Sequence, residues 1–105
     1  MHFLKDDDAA QYCYEQAKEI RQHEAKAINN LANLEYEKEN FEEAAILYLQ
    51  SLELDIEDAD CLCNLGLALS NTKYKDYAKL AFEEAVNADQ GSTVILFNYL
   101  LFLLE

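Results

Sequence analysis

Two adjacent stretches of equal length carry the strongest signal in the sequence: AKAINNLANLEYEKENFEEAAILYLQSLELDIED at positions 25–58 and ADCLCNLGLALSNTKYKDYAKLAFEEAVNADQGS at positions 59–92. They align without a gap, with a period of 34. The positions that match hold small or apolar residues at helical spacing, and most of the mismatches are polar. A repeat of this length indicates one supersecondary unit used several times, with a shared packing scheme and a variable surface.

The identical pairs in this alignment set the frame of the repeat. They are Ala25/Ala59, Asn30/Asn64, Leu31/Leu65, Ala44/Ala78 and Asp55/Asp89. The same frame continues upstream, where Tyr14 lies one period before Tyr48, and downstream, where Asn98 lies one period after Asn64. The chain is therefore predicted to hold the second half of one unit, two whole units, and the first half of a fourth.

Each unit is predicted to consist of two antiparallel helices, A and then B. The predicted helices cover about 7–23, 25–37, 41–54, 59–71, 75–88 and 93 to the last residue. Asn40 with Glu43 fits a capping box, Asp58 fits an N-cap, Ser92 or Thr93 fits the N-cap of the last helix, and Gly91 is expected to stop a helix with a positive φ. The 105 residues contain no proline and two glycines, which disfavours an all-β fold, because its turns need both.

Small and large residues alternate within the units. Ala44 and Ala78 are expected where two helices cross closely, while Tyr48 and Phe82, one turn later, fill the space to the next unit. This period of 34, with a leucine and a small residue at 31–32 and 65–66 and an aromatic four positions after each alanine, resembles tetratricopeptide repeats. Residues 67–86 with the segment around Asn98 also look like the terminal repeats of a tetratricopeptide subunit of the Bardet–Biedl ciliary coat.

The resemblance covers nearly the whole chain and implies an all-α, right-handed α-solenoid of antiparallel helix pairs. The expected organisation is one domain over 1–105, with helix B of a partial repeat at 1–24, repeats at 25–58 and 59–92, and helix A of a partial repeat at 93–105. We expect the chain to be a fragment of a longer array. The family's usual turn glycine is replaced by Glu39 and Lys73, so the turn geometry is expected to differ.

The charge of the chain disfavours several classes of partner. Eight basic and 21 acidic residues give a net charge of −13, so the cationic footprint of a nucleic-acid-binding protein is absent. Anionic membrane surfaces are disfavoured for the same reason, and the apolar stretch 94–104 is shorter than the roughly 20 residues that span a bilayer. Ten acids and one lysine lie between positions 35 and 60, so basic or neutral protein partners are preferred.

The reactive side chains do not form a pattern typical of catalysis or metal binding. Three cysteines, Cys13, Cys61 and Cys63, are an odd number, which argues for a reducing, cytoplasmic location. Cys61 and Cys63 fall on nearly opposite faces of a helix, and the two histidines have no zinc spacing. We therefore expect no metal, no cofactor and no enzyme activity.

In this family the A helices line the concave face of the superhelix, and the resemblance implies that partner peptides bind there. Carried onto this sequence, the groove residues are Lys26, Asn29, Asn30, Asn33, Tyr36, Asp60, Asn64, Leu67, Asn71 and Asn98. An asparagine amide both donates and accepts hydrogen bonds, so the recurring Asn30, Asn64 and Asn98 suit a grip on a peptide backbone. Bonds from these amides to a neighbouring helix or to water are an alternative of equal weight.

The last predicted helix is apolar on all sides, which is typical of a helix buried on several sides. We expect this helix to be able to pair with that of a second copy in a homodimer. The candidate face for this self-association consists of Phe97, Leu100, Leu101 and Leu104. Three functions follow from these features. The first is a non-enzymatic scaffold that binds a peptide or helix in the groove. The alternatives are an assembly module that docks through the apolar helix, and an accessory domain of an enzyme.

Overall fold

The computed structural model describes residues 6–105, and this part of the chain is built from five α-helices without a strand. The helices are α1 (Asp6–Glu37), α2 (Phe41–Leu54), α3 (Ala59–Ser70), α4 (Lys75–Ala88) and α5 (Thr93–Leu104). Helices α1 and α2 form one packed pair, and α3 and α4 form a second. Helix α2 also packs on α3, and α5 packs on α4 and α3. The predicted all-α solenoid of helix pairs is confirmed.

The core follows the small–large alternation of the repeat. Ala44 and Ala78 have no exposed surface, and Tyr48 and Phe82, one turn later, are fully buried. The core forms two clusters. The first cluster joins the two helix pairs, while the second lies between α3, α4 and α5 around Phe82. The predicted packing of both whole repeats is confirmed at these positions.

Helix α1 differs from its prediction, because the expected break after position 23 is absent. The helix continues for 32 residues, so the predicted boundary between 24 and 25 lies inside it. At the corresponding place in the next unit, Asp55 and Asp58 end one helix and cap another. The equivalent positions in α1 are Arg21 and Glu24, neither of which is a good N-cap, so the helix runs through.

The N-terminal half of α1 is therefore not packed as helix B of a partial repeat. The repeat frame places Ala10, Tyr14 and Ala17 at the positions of Ala44, Tyr48 and Ser51, which are buried in α2, but all three are exposed. Ile20, the counterpart of half-buried Leu54, is exposed as well. Residues 1–5 of the predicted first half unit lie outside the described residues. The repeat packing seen in this structure begins at Ala25, which is buried against α2 and whose carbonyl accepts a hydrogen bond from Ser51 Oγ at 2.8 Å.

The turn between α1 and α2 is made without glycine. Glu39 has a φ of 65°, the left-handed region. The amide of Asn40 donates to the Glu35 carbonyl and that of Glu39 to the Tyr36 carbonyl, both at 2.9 Å, which is a Schellman motif. The predicted capping box is wrong: Asn40 makes no side-chain cap bond with the α2 backbone, since its Nδ2 donates to Glu35 Oε2 at 2.8 Å. That bond lowers the pKa of Glu35.

The repeated aspartates end the B helices. Asp55 and Asp89, one repeat apart, follow α2 and α4 with nearly identical backbone angles, φ −143° and −142°. The predicted cap at Asp58 is confirmed, since its side chain accepts from the amide of Cys61. Of the two candidates for the cap of α5, Ser92 is the one used, since its side chain accepts from the amide of Ile95. The positive φ expected at Gly91 is wrong, because α4 has already ended at Ala88.

Candidate functional site

A small pocket lies on the side of the fold formed by the A helices α1 and α3. This inner pocket has a volume of about 200 Å³ and is lined by Asn33, Tyr36, Glu37, Tyr48, Asn64 and Leu67. Four of its residues, Asn33, Tyr36, Asn64 and Leu67, belong to the groove predicted from sequence. The structure thus brings together part of the predicted set, from helices that are separate in sequence.

The pocket is held in shape by contacts between its own side chains. The Tyr48 hydroxyl, at the end of a fully buried side chain, donates to Asn33 Oδ1. Burial raises the pKa of Tyr48 to about 12, so the phenol stays protonated and remains a donor near neutral pH. The Tyr36 ring packs edge-on against Phe41, with ring centroids 5.2 Å apart. The sequence predicts Tyr48 only as a core residue, so its polar tip at the pocket was missed.

The other predicted groove residues do not line this pocket. Lys26, Asn30 and Asp60 are exposed, and Asn29 is half-buried with its Oδ1 buried and without a partner within residues 6–105. Asn71 Nδ2 donates to the Leu67 carbonyl at 3.0 Å, which satisfies a carbonyl near the end of α3. These residues are on or next to the A helices, but the structure gathers only the central part of the predicted set.

The recurring asparagines have three different environments. Asn30 is exposed, Asn64 lines the inner pocket, and Asn98 Nδ2 donates to Cys63 Sγ at 3.6 Å. For Asn98 the structure therefore shows a bond to a neighbouring helix, the alternative to peptide binding. Of the three amides, only that of Asn64 lines the inner pocket.

A second and larger cavity lies on the side of the fold formed by the B helices, and the sequence did not predict it. This outer groove of about 900 Å³ runs between the B helices α2 and α4, above α3. Its walls include Ile46, Leu49, Tyr77 and Leu80, each about half exposed or more. A sequence signal existed: α2 and α4 carry more large apolar residues than the positions that pack against their A helices require.

The predicted self-association face of α5 is accessible. Phe97, Leu100 and Leu101 are 61%, 50% and 46% exposed, and Leu104 is 83% exposed. Helix α5 is attached through its other side, where Ile95 is buried and the rings of Tyr99 and Phe102 pack around Phe82. The exposed side chains therefore form a continuous apolar surface on the outside of the last helix.

Two of the three cysteines are buried in the core. Cys61 and Cys63 pack in separate core clusters, as their spacing predicted. Burial raises the pKa of both thiols, that of Cys61 to about 12, which suppresses the nucleophilic thiolate. Between Asp6 and Glu105, no cluster of three or more His, Cys, Asp or Glu residues is arranged to hold a metal ion. Over the same range, none of the helices has the length and apolar character needed to cross a membrane.

Comparison with known proteins agrees with this architecture. The family model for the tetratricopeptide repeat matches residues 25–56 and 59–91. The first match covers the C-terminal part of α1 together with α2, the second covers α3 and α4, and the two together cover more than half of the chain. No curated protein matches the sequence, and the likeness to a ciliary-coat subunit stays a prediction. Tetratricopeptide repeats are generally protein–protein interaction modules. The chain belongs to the tetratricopeptide repeat family.

Proposed function

We propose that the chain is a non-enzymatic scaffold of the reducing cytoplasm that binds a segment of another protein at the inner pocket. The observation that carries the proposal is the meeting of Asn33, Asn64 and the Tyr48 hydroxyl in one small pocket between α1 and α3. The Tyr36 ring and Leu67 add apolar surface beside these polar groups. A pocket of this composition suits a short extended peptide with one apolar side chain.

Recognition in this proposal is through the peptide backbone. The Asn64 amide supplies a donor and an acceptor that match the C=O and N–H of one residue of an extended chain. Asn33 already accepts from Tyr48, which leaves its Nδ2 protons free to donate to a second peptide carbonyl. Because backbone groups are common to all sequences, the site tolerates sequence variation, and Tyr36 and Leu67 select for an apolar side chain.

Charge sets the preference among peptides. Glu37 lines the pocket, and ten acids with one lysine lie between positions 35 and 60. The electrostatic field of these acids attracts a basic segment, leaves a neutral one unaffected and repels an acidic one. The affinity for a basic peptide should therefore fall as salt rises, because mobile ions screen exposed charges over roughly 10 Å.

Selection from a random peptide library on the immobilised full chain tests the proposal. Asn64→Ala should weaken the selected peptides about tenfold, since one good hydrogen-bonding pair is worth about 1–1.5 kcal/mol. Asn30→Ala is the matched control, because Asn30 occupies the same position of the preceding repeat and is exposed outside the pocket. Equal binding by both variants, or recovery of mainly acidic peptides, would contradict the proposal.

Assembly through α5 is a second candidate function, favoured by its exposed apolar face. Burial of a large apolar side chain is worth about 1.5–3 kcal/mol, so covering Phe97, Leu100, Leu101 and Leu104 is strongly favourable. A second copy related by a two-fold axis is the simplest closed arrangement. Light scattering should show that Leu101→Glu with Leu104→Glu reduces the particle mass while helicity is kept. A wild-type chain that is monomeric at high concentration would contradict this candidate.

A further inference from the structure

The outer groove exposes large apolar side chains that are not buried in the packing of the helix pairs. In α2 the buried residues are Ala44, Ala45, Tyr48, Ser51 and Leu52, and in α4 they are Ala78, Ala81, Phe82 and Ala85. Ile46, Leu49, Tyr77 and Leu80 lie outside these sets and are between 49% and 60% exposed, while Ile56 beyond α2 is 78% exposed. Together they line one continuous cavity of about 900 Å³. Apolar patches of this kind mark interaction sites on soluble proteins.

The shape and chemistry of the groove favour a helix over an extended peptide. Its floor is formed by Leu62, Leu65 and Leu69 of α3, and its walls are formed mainly by the apolar side chains of α2 and α4. An extended chain placed there would leave the backbone N–H and C=O groups that face the apolar walls without partners. A helix satisfies its backbone internally and presents only side chains to the groove.

The rim of the groove indicates the charge of that helix. Three glutamates, Glu42, Glu53 and Glu84, line the cavity, and no basic residue does. None of the three takes part in an ion pair within residues 6–105. From Glu42 to Glu53, α2 rises about 16 Å, which corresponds to about three turns of a bound helix. Lysine or arginine flanking the apolar face of such a helix would meet these carboxylates.

We propose that the outer groove binds an amphipathic helix of a partner protein, about three turns long, with an apolar stripe and flanking basic residues. Helix α5 of a second copy is a weaker fit, because its sequence TVILFNYLLFLL contains no basic residue to meet the glutamates. The site is distinct from the inner pocket, since the two cavities share no lining residue. The chain would then hold one partner on each side.

The probe is a fluorescein-labelled model peptide with leucine at i, i+3, i+4 and i+7 and lysine at the flanking positions. Its counterpart keeps the leucines and replaces lysine by glutamate. Fluorescence anisotropy with the full chain should show at least about tenfold tighter binding of the lysine peptide at low salt. Glu53→Gln with Glu84→Gln should bring the two peptides closer in affinity and flatten the salt dependence.

A matched pair of variants tests the location. Leu80→Lys replaces a half-exposed groove residue and should weaken the lysine peptide about tenfold or more. Leu96→Lys makes the same change at a similarly exposed position of α5 and should leave binding unchanged. Circular dichroism checks that both variants stay folded. The proposal is overturned if the lysine peptide does not bind, if the glutamate peptide binds equally well, or if Leu96→Lys weakens binding and Leu80→Lys does not. Loss of binding in Asn64→Ala would instead assign the peptide to the inner pocket.

Discussion

Gly66→Ala separates the packing of this solenoid from helix propensity, because the two effects have opposite signs. Gly66 lies inside α3, where replacing glycine by alanine normally stabilises a helix by about 1 kcal/mol. An added Cβ would lie 2.9 Å from two ring carbons of Phe82 and 3.0 Å from a third. The ring has little freedom to move, since it is fully buried and flanked by Tyr99 and Phe102.

Overpacking of a core typically costs about 1–3 kcal/mol, so after the helix-propensity gain of about 1 kcal/mol we expect a net loss of up to about 2 kcal/mol for Gly66→Ala. For a domain of this size that lowers Tm by about 4–8 °C per kcal/mol. Urea unfolding followed by circular dichroism measures the loss. A double-mutant cycle with Phe82→Leu supplies the control, because the smaller side chain makes room and the two costs should be less than additive. A Gly66→Ala chain that is more stable than wild type would refute the close crossing of α3 and α4.

Three further predictions rest on local features of the structure. Glu39→Gly should stabilise the fold by about 1 kcal/mol in urea unfolding, because Glu39 holds a φ of 65° that costs a non-glycine residue free energy; no gain would mean that the turn is unstrained. Burial raises the pKa of Tyr48 from 10.0 to about 12, so the folded state holds the phenol proton more tightly than the unfolded state. This group therefore leaves the free energy of unfolding unchanged below pH 10 and lowers it as the pH rises towards 12. Between pH 10 and pH 12 the free energy of unfolding of Tyr48→Phe should therefore fall by about 2 kcal/mol less than that of the wild type, and identical pH profiles would contradict this. Exposed Cys13 should react with iodoacetamide well before buried Cys61 and Cys63, as peptide mass spectrometry after timed quenching can show, and equal rates would contradict the packing of α3.

The repeat fold could be predicted because its signals are periodic and local. Matches at Ala44/Ala78 and Tyr48/Phe82 correctly placed the buried residues of both whole repeats, and four of the five helices have nearly the predicted bounds. The first helix was predicted wrongly, because the repeat frame was extended upstream on apolar matches alone. The polar residues that end and start helices, Asp55 and Asp58, have no counterpart there.

The candidate sites were less predictable, since they depend on how neighbouring units are placed. Periodicity assigns Asn98 to the same helix face as Asn64, but it does not predict that the Asn98 side chain reaches Cys63 Sγ. It also does not give the separation of α2 and α4 across α3, which opens the outer groove. The tip of Tyr48 was missed for a similar reason: an aromatic residue expected in the core also carries a hydroxyl that reaches Asn33.

The central claim is that a partner peptide binds at the inner pocket, and the side-chain amides of the pocket report on it directly. In a ¹H–¹⁵N spectrum of the labelled full chain, titration with a library-selected peptide should shift the side-chain NH₂ signals of Asn33 and Asn64. The exposed Asn30 should shift little. Shifts confined to residues of the outer groove or of α5, with Asn33 and Asn64 unmoved, would contradict the claim.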